Sequence, residues 1–327
     1  MIAVLAQDVE KKFPQATAIR NLNLTIEKGT LAGLIGPDGA GKSTLLRLLI
    51  GLLKPTKGKI EVSGFDVSKN PFQVKDRIGY MPQHFSLYGD LTVAENMKFF
   101  ADLYGVQGPP FLERKKELLK FSALHPFEDR LARNLSGGMQ KKLALACNLF
   151  HTPDILLLDE PTTGVDPVSR LELWQLLKQL NEKGVTILLT TPYMDEASRC
   201  HKVGFIFEGQ ILVYDSPSLL IASLKDGIAE LRAPLAGTIR ALASLPGIKS
   251  VHPFGEMLHV VFDTGVADVA AIKRRLAEAQ IEFQGLKKID ASFEDAFLAL
   301  AQAYSQPLVR ERRPSQSSTA SIKADAP

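Results

Sequence analysis

The chain has 327 residues, 45% of them hydrophobic, which excludes the disordered class and suits one large domain plus a smaller one. Its 39 basic and 36 acidic residues nearly cancel to +3, so the basic excess of a nucleic-acid binder is missing and no nucleic-acid partner is expected. Cys147 and Cys200 match no metal or redox spacing, the opening residues MIAVLAQDVEKKF acquire acids too early for a signal peptide, and no run approaches the roughly 20 apolar residues of a membrane span.

In chain order, Ile2 to Val9 and Leu22 to Ile26 read as strands separated by a polar loop that contains Phe13. An aromatic there can stack on an adenine ring or cover core, and the residues alone favour core. Leu31 to Ile35 is an apolar run followed by Gly36-Pro37-Asp38-Gly39-Ala40-Gly41-Lys42-Ser43 and a leucine-rich segment, Thr44 to Leu53. The octapeptide fits G-x-x-x-x-G-K-[ST], with the strand before it and the helix after it that such a loop needs. A triphosphate is dense negative charge, so Gly36, Asp38, Gly39, Ala40, Gly41, Lys42, Ser43 and Thr44 are read as its cradle. Backbone N–H groups at close range and a helix N-terminus supply the attraction. Lys42 reaches the β and γ phosphates as a point charge, and the Ser43 hydroxyl suits a magnesium ion.

Lys59 to Val62 resumes a strand, and Ile78-Gly79-Tyr80-Met81-Pro82-Gln83 is a short strand running into a loop, with Gln83 placed to touch a metal ion or its water. From Thr92 the texture is helical. Thr92 and Glu95 have capping-box spacing, Val93, Met97, Phe100 and Leu103 share a face, and Leu112 to Phe121 forms a second helix. This helical insert, about residues 84–135, interrupts an alternating strand and helix pattern. Leu135-Ser136-Gly137-Gly138-Met139-Gln140 then opens another helix, leaving free N–H groups beside a hydroxyl. Asp154-Ile155-Leu156-Leu157-Leu158-Asp159-Glu160-Pro161 reads as a strand buried on both faces, with carboxylates at the end where α/β sheets bind ligands. Asp159 can hold magnesium and Glu160 can accept a proton from an attacking water. Asp166-Pro167 is an N-cap and first-turn pair for a helix from Val168 to Leu180.

The order of phosphate loop, YMPQ, LSGGMQ and ILLLDEP resembles the nucleotide-binding domain of ATP-binding cassette (ABC) transporters over roughly the first two thirds of the chain. The resemblance implies an α/β P-loop NTPase cassette fold with an antiparallel β subdomain and a helical insert. It implies ATP and Mg2+ as ligands, with Ser43, Gln83 and Asp159 at the metal and Lys42, Gln83 and Glu160 in catalysis. Two such domains meet head to tail, so that Ser136, Gly137 and Gly138 of one close over ATP on the loop of the other. The second cassette is another copy of this chain or a different cassette. By the same analogy Phe13 becomes the adenine-stacking aromatic, Gln83 the link to a membrane permease and Asp166 a residue that communicates across the interface. The chain then sits peripherally on the cytoplasmic face of the inner membrane.

Two departures stand out. Where the family normally places a switch histidine, giving a segment like TTHYMDEA, this chain has Thr190-Thr191-Pro192-Tyr193-Met194-Asp195-Glu196-Ala197. Proline offers neither an imidazole nitrogen nor a backbone N–H to the γ-phosphate, so binding is expected to survive and hydrolysis to slow, with Thr191 or a water standing in. Asp38 replaces the usual asparagine.

Val203 to Phe207 and Ile211 to Tyr214 read as a hairpin, a helix from Ser216 to Leu224 closes the first domain, and the boundary is set at 226/227. Residues 227–304 read as a small α+β domain, with strands at Ala229 to Arg232, Ile248 to His252, Leu258 to Phe262 and Ile281 to Leu286 and helices between and after them. Its closing SFEDAFLAL resembles the C-terminal domain of drug-efflux cassettes of the daunorubicin-resistance type, whose partners are ABC-2 permeases. His252 and His259 lie on separate strands with no further ligand nearby in sequence and are read as ordinary histidines. Residues 305–327, rich in Ser, Ala and Pro, read as a disordered tail.

Overall fold

The computed structural model describes residues 1–83 and 87–301, and contacts divide it into two compact units, one ending at Pro217 and the next starting at Ser218. The division falls at the first residue of the helix that the sequence reading placed before its 226/227 boundary. The tail expected at 305–327 lies outside the described residues.

In the first unit, β1 (Ile2–Phe13) and β2 (Ala16–Glu27) form a hairpin with β4 (Lys57–Val62) and β5 (Phe65–Asp66), in the antiparallel order β2-β1-β4-β5. Both hairpin strands are longer than their apolar runs. Polar Glu10, Lys11 and Lys12 stay in the ladder, and register shifts with a left-handed turn at Asp8 (φ 49°) bend the strand. Phe13 thus ends β1 and lies outside a loop.

The second sheet runs β10-β9-β3-β8-β7-β6, from β3 (Leu31–Ile35), β6 (Ile78–Met81), β7 (Ile155–Asp159), β8 (Thr186–Thr190), β9 (Lys202–Phe207) and β10 (Gln210–Asp215). All neighbours pair in parallel except β9 with β10. Every residue of β3, β7 and β8 is buried, as continuous apolar runs in a covered parallel sheet require. Because β3, β6, β7 and β8 are parallel, the phosphate loop, Gln83, the Asp159–Glu160 pair and the Thr191–Pro192 turn all leave the sheet at the same edge. Helix α1 (Lys42–Leu49) buries Leu45, Leu46, Leu48 and Leu49 completely in a core that also holds Val4, Ile19, Ile26, Ile155 and Leu188, so both sheets share it. Each such leucine contributes about 1.5–3 kcal/mol.

A short helix, α2 (Pro71–Lys75), precedes β6, and the insert carries α3 (Val93–Leu103) and α4 (Gly108–Phe121). The capping box at Thr92 and Glu95 forms as its spacing predicts. Leu103, expected on the buried face, is exposed, and Asn96 is buried instead. Its amide is fully used: Nδ2 donates to the carbonyls of Tyr88, Leu91 and Thr92, and Oδ1 accepts from the Tyr88 N–H, pinning helix to loop. Helix α4 starts at Gly108, ahead of the expected Leu112, because Pro109 and Pro110 fit the first turn, where no N–H is needed. Then follow α5 (Gly137–Cys147), α6 (Pro167–Glu182), α7 (Met194–Ala197) and α8 (Pro217–Ser223).

The second unit is an antiparallel sheet in the order β12-β13-β11-β14, from β11 (Gly227–Arg232), β12 (Ile248–Phe254), β13 (Met257–Phe262) and β14 (Gln284–Ile289). With α9 (Leu235–Leu242) and α10 (Val269–Glu278) it forms a core around Leu231, Leu242, Val260, Ile272 and Leu276. Strand β14 starts after the expected Ile281, whose N–H instead donates to the Leu276 carbonyl and closes α10. A helix over residues 293–301 ends the described chain. Among the described residues no helix is long and apolar enough to cross a membrane.

Candidate functional site

Gly41 is the hinge of the phosphate loop. It caps α1 at φ 106°, and a Cβ there would sit 2.7 Å from the Ala18 carbonyl oxygen, so only glycine allows both the turn and the close approach of β2. Lys42 is 5% exposed and its Nζ donates to the carbonyls of Gly36 (2.8 Å) and Pro37 (3.1 Å). The ammonium therefore lies against the concave backbone that the glycines leave open. Asp38 is exposed, Ala40 buried, and Ser43 and Thr44 are half-buried at the start of α1. Phe13 is exposed at the tip of the hairpin whose Ala18 backs onto Gly41.

At the end of β7, Asp159 is buried, and its Oδ1 accepts a 2.7 Å hydrogen bond from the Thr190 hydroxyl on β8. The same hydroxyl accepts from the Glu160 N–H at 2.9 Å. Glu160 sits at φ 47°, a left-handed conformation that costs a non-glycine residue of order 1–3 kcal/mol and needs such support. Its Oε2 accepts from Gln83 Nε2 (2.8 Å) and from the Thr163 hydroxyl (3.1 Å). Gln83 in turn accepts at its backbone oxygen from Lys141 Nζ of α5. Burial holds Lys141 below the usual lysine range, against the pull of Glu160 and Asp159. The structure thus joins Gln83, Asp159 and Glu160 into one hydrogen-bonded group.

Asp159 has no cationic partner within ion-pair distance among the described residues. A buried carboxylate with one donor is the group that a cation relieves, and hard oxygens suit magnesium, so the residues present fit that ion. Asp159, Ser43 and Gln83 would hold it.

Ser136 caps α5, its Oγ accepting from the Met139 N–H at 3.3 Å. A Cβ on Gly138 would overlap the Ser169 side chain of α6, so the glycine lets the two helices touch. Asp166 caps α6 through a 2.9 Å bond from the Ser169 N–H, which holds its carboxyl below the ordinary range. Among the described residues no hydrogen bond or ion pair joins Ser136, Gly137 or Gly138 to the phosphate loop.

Sequence reasoning missed the hydroxyl layer behind these groups. Thr191 is fully buried and donates to Glu196 at 2.6 Å, so its hydroxyl is already committed and is not free to replace a histidine. Glu196 also accepts from the Thr162 hydroxyl (2.9 Å) and from Arg170 Nε (3.0 Å), tying α6, α7 and the end of β7 together. Pro192 is exposed next to this cluster. The visible signal was the pair of threonines, Thr190 closing a buried strand and Thr191 just after it.

Residues 19–163 match the family described as ABC transporter. Over 297 residues the chain is 41% identical to the Probable multidrug ABC transporter ATP-binding protein YbhF of Escherichia coli (strain K12), covering 89% of this chain and 51% of that protein. The chain therefore spans about half the length of that relative. It is 36% identical over 298 residues to the Nod factor export ATP-binding protein I of Burkholderia lata, covering 90% of this chain and 95% of that one. Among solved structures it resembles the ATP-binding subunit of an ABC transporter (25% identity, TM-score 0.62, 67% of this chain and 92% of that one). It also resembles a dimeric post-hydrolysis ATP-binding cassette bound to ADP and Pi (29% identity, TM-score 0.60, 65% and 98%).

Proposed function

The chain belongs to the ABC transporter ATP-binding family, and from that premise we propose that it is the ATP-hydrolysing subunit of an exporter, driving a separate permease by closure of a dimer. The observation that carries the reading is the Gln83–Glu160–Thr190–Asp159 chain of hydrogen bonds at the sheet edge where the phosphate loop also emerges. The phosphate loop and Lys42 bind the nucleotide, and Phe13 stacks on its base. Magnesium, when bound, supplies charge neutralisation at the β and γ phosphates. Glu160 orients water and takes its proton, and Gln83, bonded to Glu160, reports the state of the γ-phosphate to the permease.

One copy holds half a site: among the described residues no hydrogen bond or ion pair joins Ser136, Gly137 or Gly138 to the phosphate loop of the same chain, which supports their serving the loop of another. A second cassette completes it, and Asp166 lies at that junction. The export relatives and the resemblance of the second unit to drug-efflux cassettes favour a permease of the ABC-2 type and a peripheral position at the inner face of the membrane. Pro192 sets the rate: losing one contact that strengthens in the transition state lowers turnover by about 100-fold to 1,000-fold.

Steady-state phosphate release by the purified chain and by Glu160→Gln tests this reading. We expect slow release from the former, at least about 100-fold less from the latter and unchanged nucleotide binding in both. Equal rates would remove Glu160 from the mechanism. If ATP and magnesium bring together neither a mixture of Lys42→Ala and Ser136→Arg chains nor the unmutated chain, the clamp is removed.

A further inference from the structure

His252 and His259 gain in the fold the third ligand that the sequence reading could not find. They face each other across β12 and β13, and Asp295, from the helix over residues 293–301, enters between them. His259 Nδ1 lies 2.7 Å and His252 Nε2 3.5 Å from Asp295 Oδ1, and one ligand atom from each residue lies within 4.8 Å of the others. The group is buried: His259 is 2% and Asp295 0% exposed, while the His252 side chain keeps 14% as a path to solvent. Both ring nitrogens of His252 and Nε2 of His259 have no hydrogen-bond partner among the described residues. Each buried polar atom left in that state costs about 1–3 kcal/mol, so the arrangement calls for a ligand.

We propose that His252 Nε2, His259 Nδ1 and Asp295 Oδ1 bind a divalent metal ion of the zinc class. Two imidazoles and one carboxylate favour zinc and its neighbours over magnesium or calcium. Ligands at about 2.0–2.2 Å in tetrahedral geometry stand roughly 3.3 Å apart, which the 3.5 Å pair already matches. The 2.7 Å pair is a hydrogen bond whose proton occupies the ion's place. Metal binding displaces that proton to solvent, and the pair opens by about half an ångström. With Nδ1 on the metal, the remaining proton of His259 lies on Nε2, which faces Glu230 Oε2 at 3.7 Å. Glu230, held by Lys287 at 3.2 Å, then orients the ring as carboxylates behind metal-bound histidines do.

The ligands are already held in position. Asp295 Oδ2 accepts from the Ser292 N–H (2.8 Å) and hydroxyl (2.6 Å), and Phe254 stacks on the His259 ring at 4.2 Å. The ion joins the last described helix to two strands of the second unit.

The test is a cobalt titration of the full, tag-free, metal-stripped chain without nucleotide. We expect the visible bands of four-coordinate cobalt, saturation at one ion per chain and displacement by zinc. Zinc affinity should fall at least about 100-fold in His252→Ala, whose side chain is partly exposed, and about 10–100-fold in Glu230→Gln. His201→Ala, in the first unit, should leave it unchanged. A folded wild-type chain that gives no cobalt spectrum overturns the proposal, and so does one whose spectrum and zinc affinity are equal in His252→Ala.

Discussion

Replacing Thr190 by valine removes one hydroxyl while keeping shape, and the structure sets what that hydroxyl is worth. Thr190 is fully buried; it donates to Asp159 at 2.7 Å and accepts from the Glu160 N–H at 2.9 Å. The first bond goes to a charged group and is worth about 1.5–3 kcal/mol, the second about 0.5–1.5 kcal/mol. Part of the second survives, because the Glu160 N–H also reaches the Thr190 carbonyl at 3.2 Å. The sum is about 2–4 kcal/mol, or roughly 5–15 °C in the melting of the first unit. Function should suffer as well, since Glu160 is held at φ 47° by this contact and a 1 Å displacement of a reacting group costs about 100-fold. Thermal melting and phosphate release of Thr190→Val and Thr190→Ser check both. The serine variant, which keeps the hydroxyl, should recover most of the activity. A valine variant within about 0.5 kcal/mol of wild type and with equal turnover would refute the bridge.

Other outcomes follow from the same geometry. Pro192→His should raise phosphate release by about 100-fold to 1,000-fold, and an unchanged rate would show that this position is not what limits turnover. Glu196→Ala leaves Arg170 without its buried partner and should cost about 3–5 kcal/mol in denaturant unfolding, against far less for the exposed Asp195→Ala. Burial, helped by the charge of Glu196, pushes the Cys200 thiol up to about 12 from an ordinary 9.0, and burial also raises Cys147. Above pH 9 the unfolded chain therefore loses protons that the folded one keeps, so stability falls as pH rises from about 9 towards 12. A Cys147→Ala/Cys200→Ala chain should show a shallower fall in melting temperature over that range, and an identical slope would contradict the thiols' part in it.

Much of what is local in this chain could be read before folding. The glycines and Lys42 of the phosphate loop, the apolar run that becomes β7 and the Thr92–Glu95 box depend on neighbours a few residues away, and the structure keeps them. Strand limits were less legible, because Glu10 to Phe13 stay in the ladder through partners on β2 and β4 that a polar run does not reveal. What only the tertiary structure decided were the contacts between distant segments. Thr190 looked like the end of a strand until parallel pairing set it opposite Asp159. Thr191 was a candidate substitute for histidine until its hydroxyl turned to Glu196. His252 and His259 lacked a third ligand until a helix more than 30 residues further on brought Asp295 between them. Propensity and motif spacing act along the chain, whereas hydrogen bonds to buried carboxylates are made across it, and the burial that makes them strong exists only once the sheets are assembled.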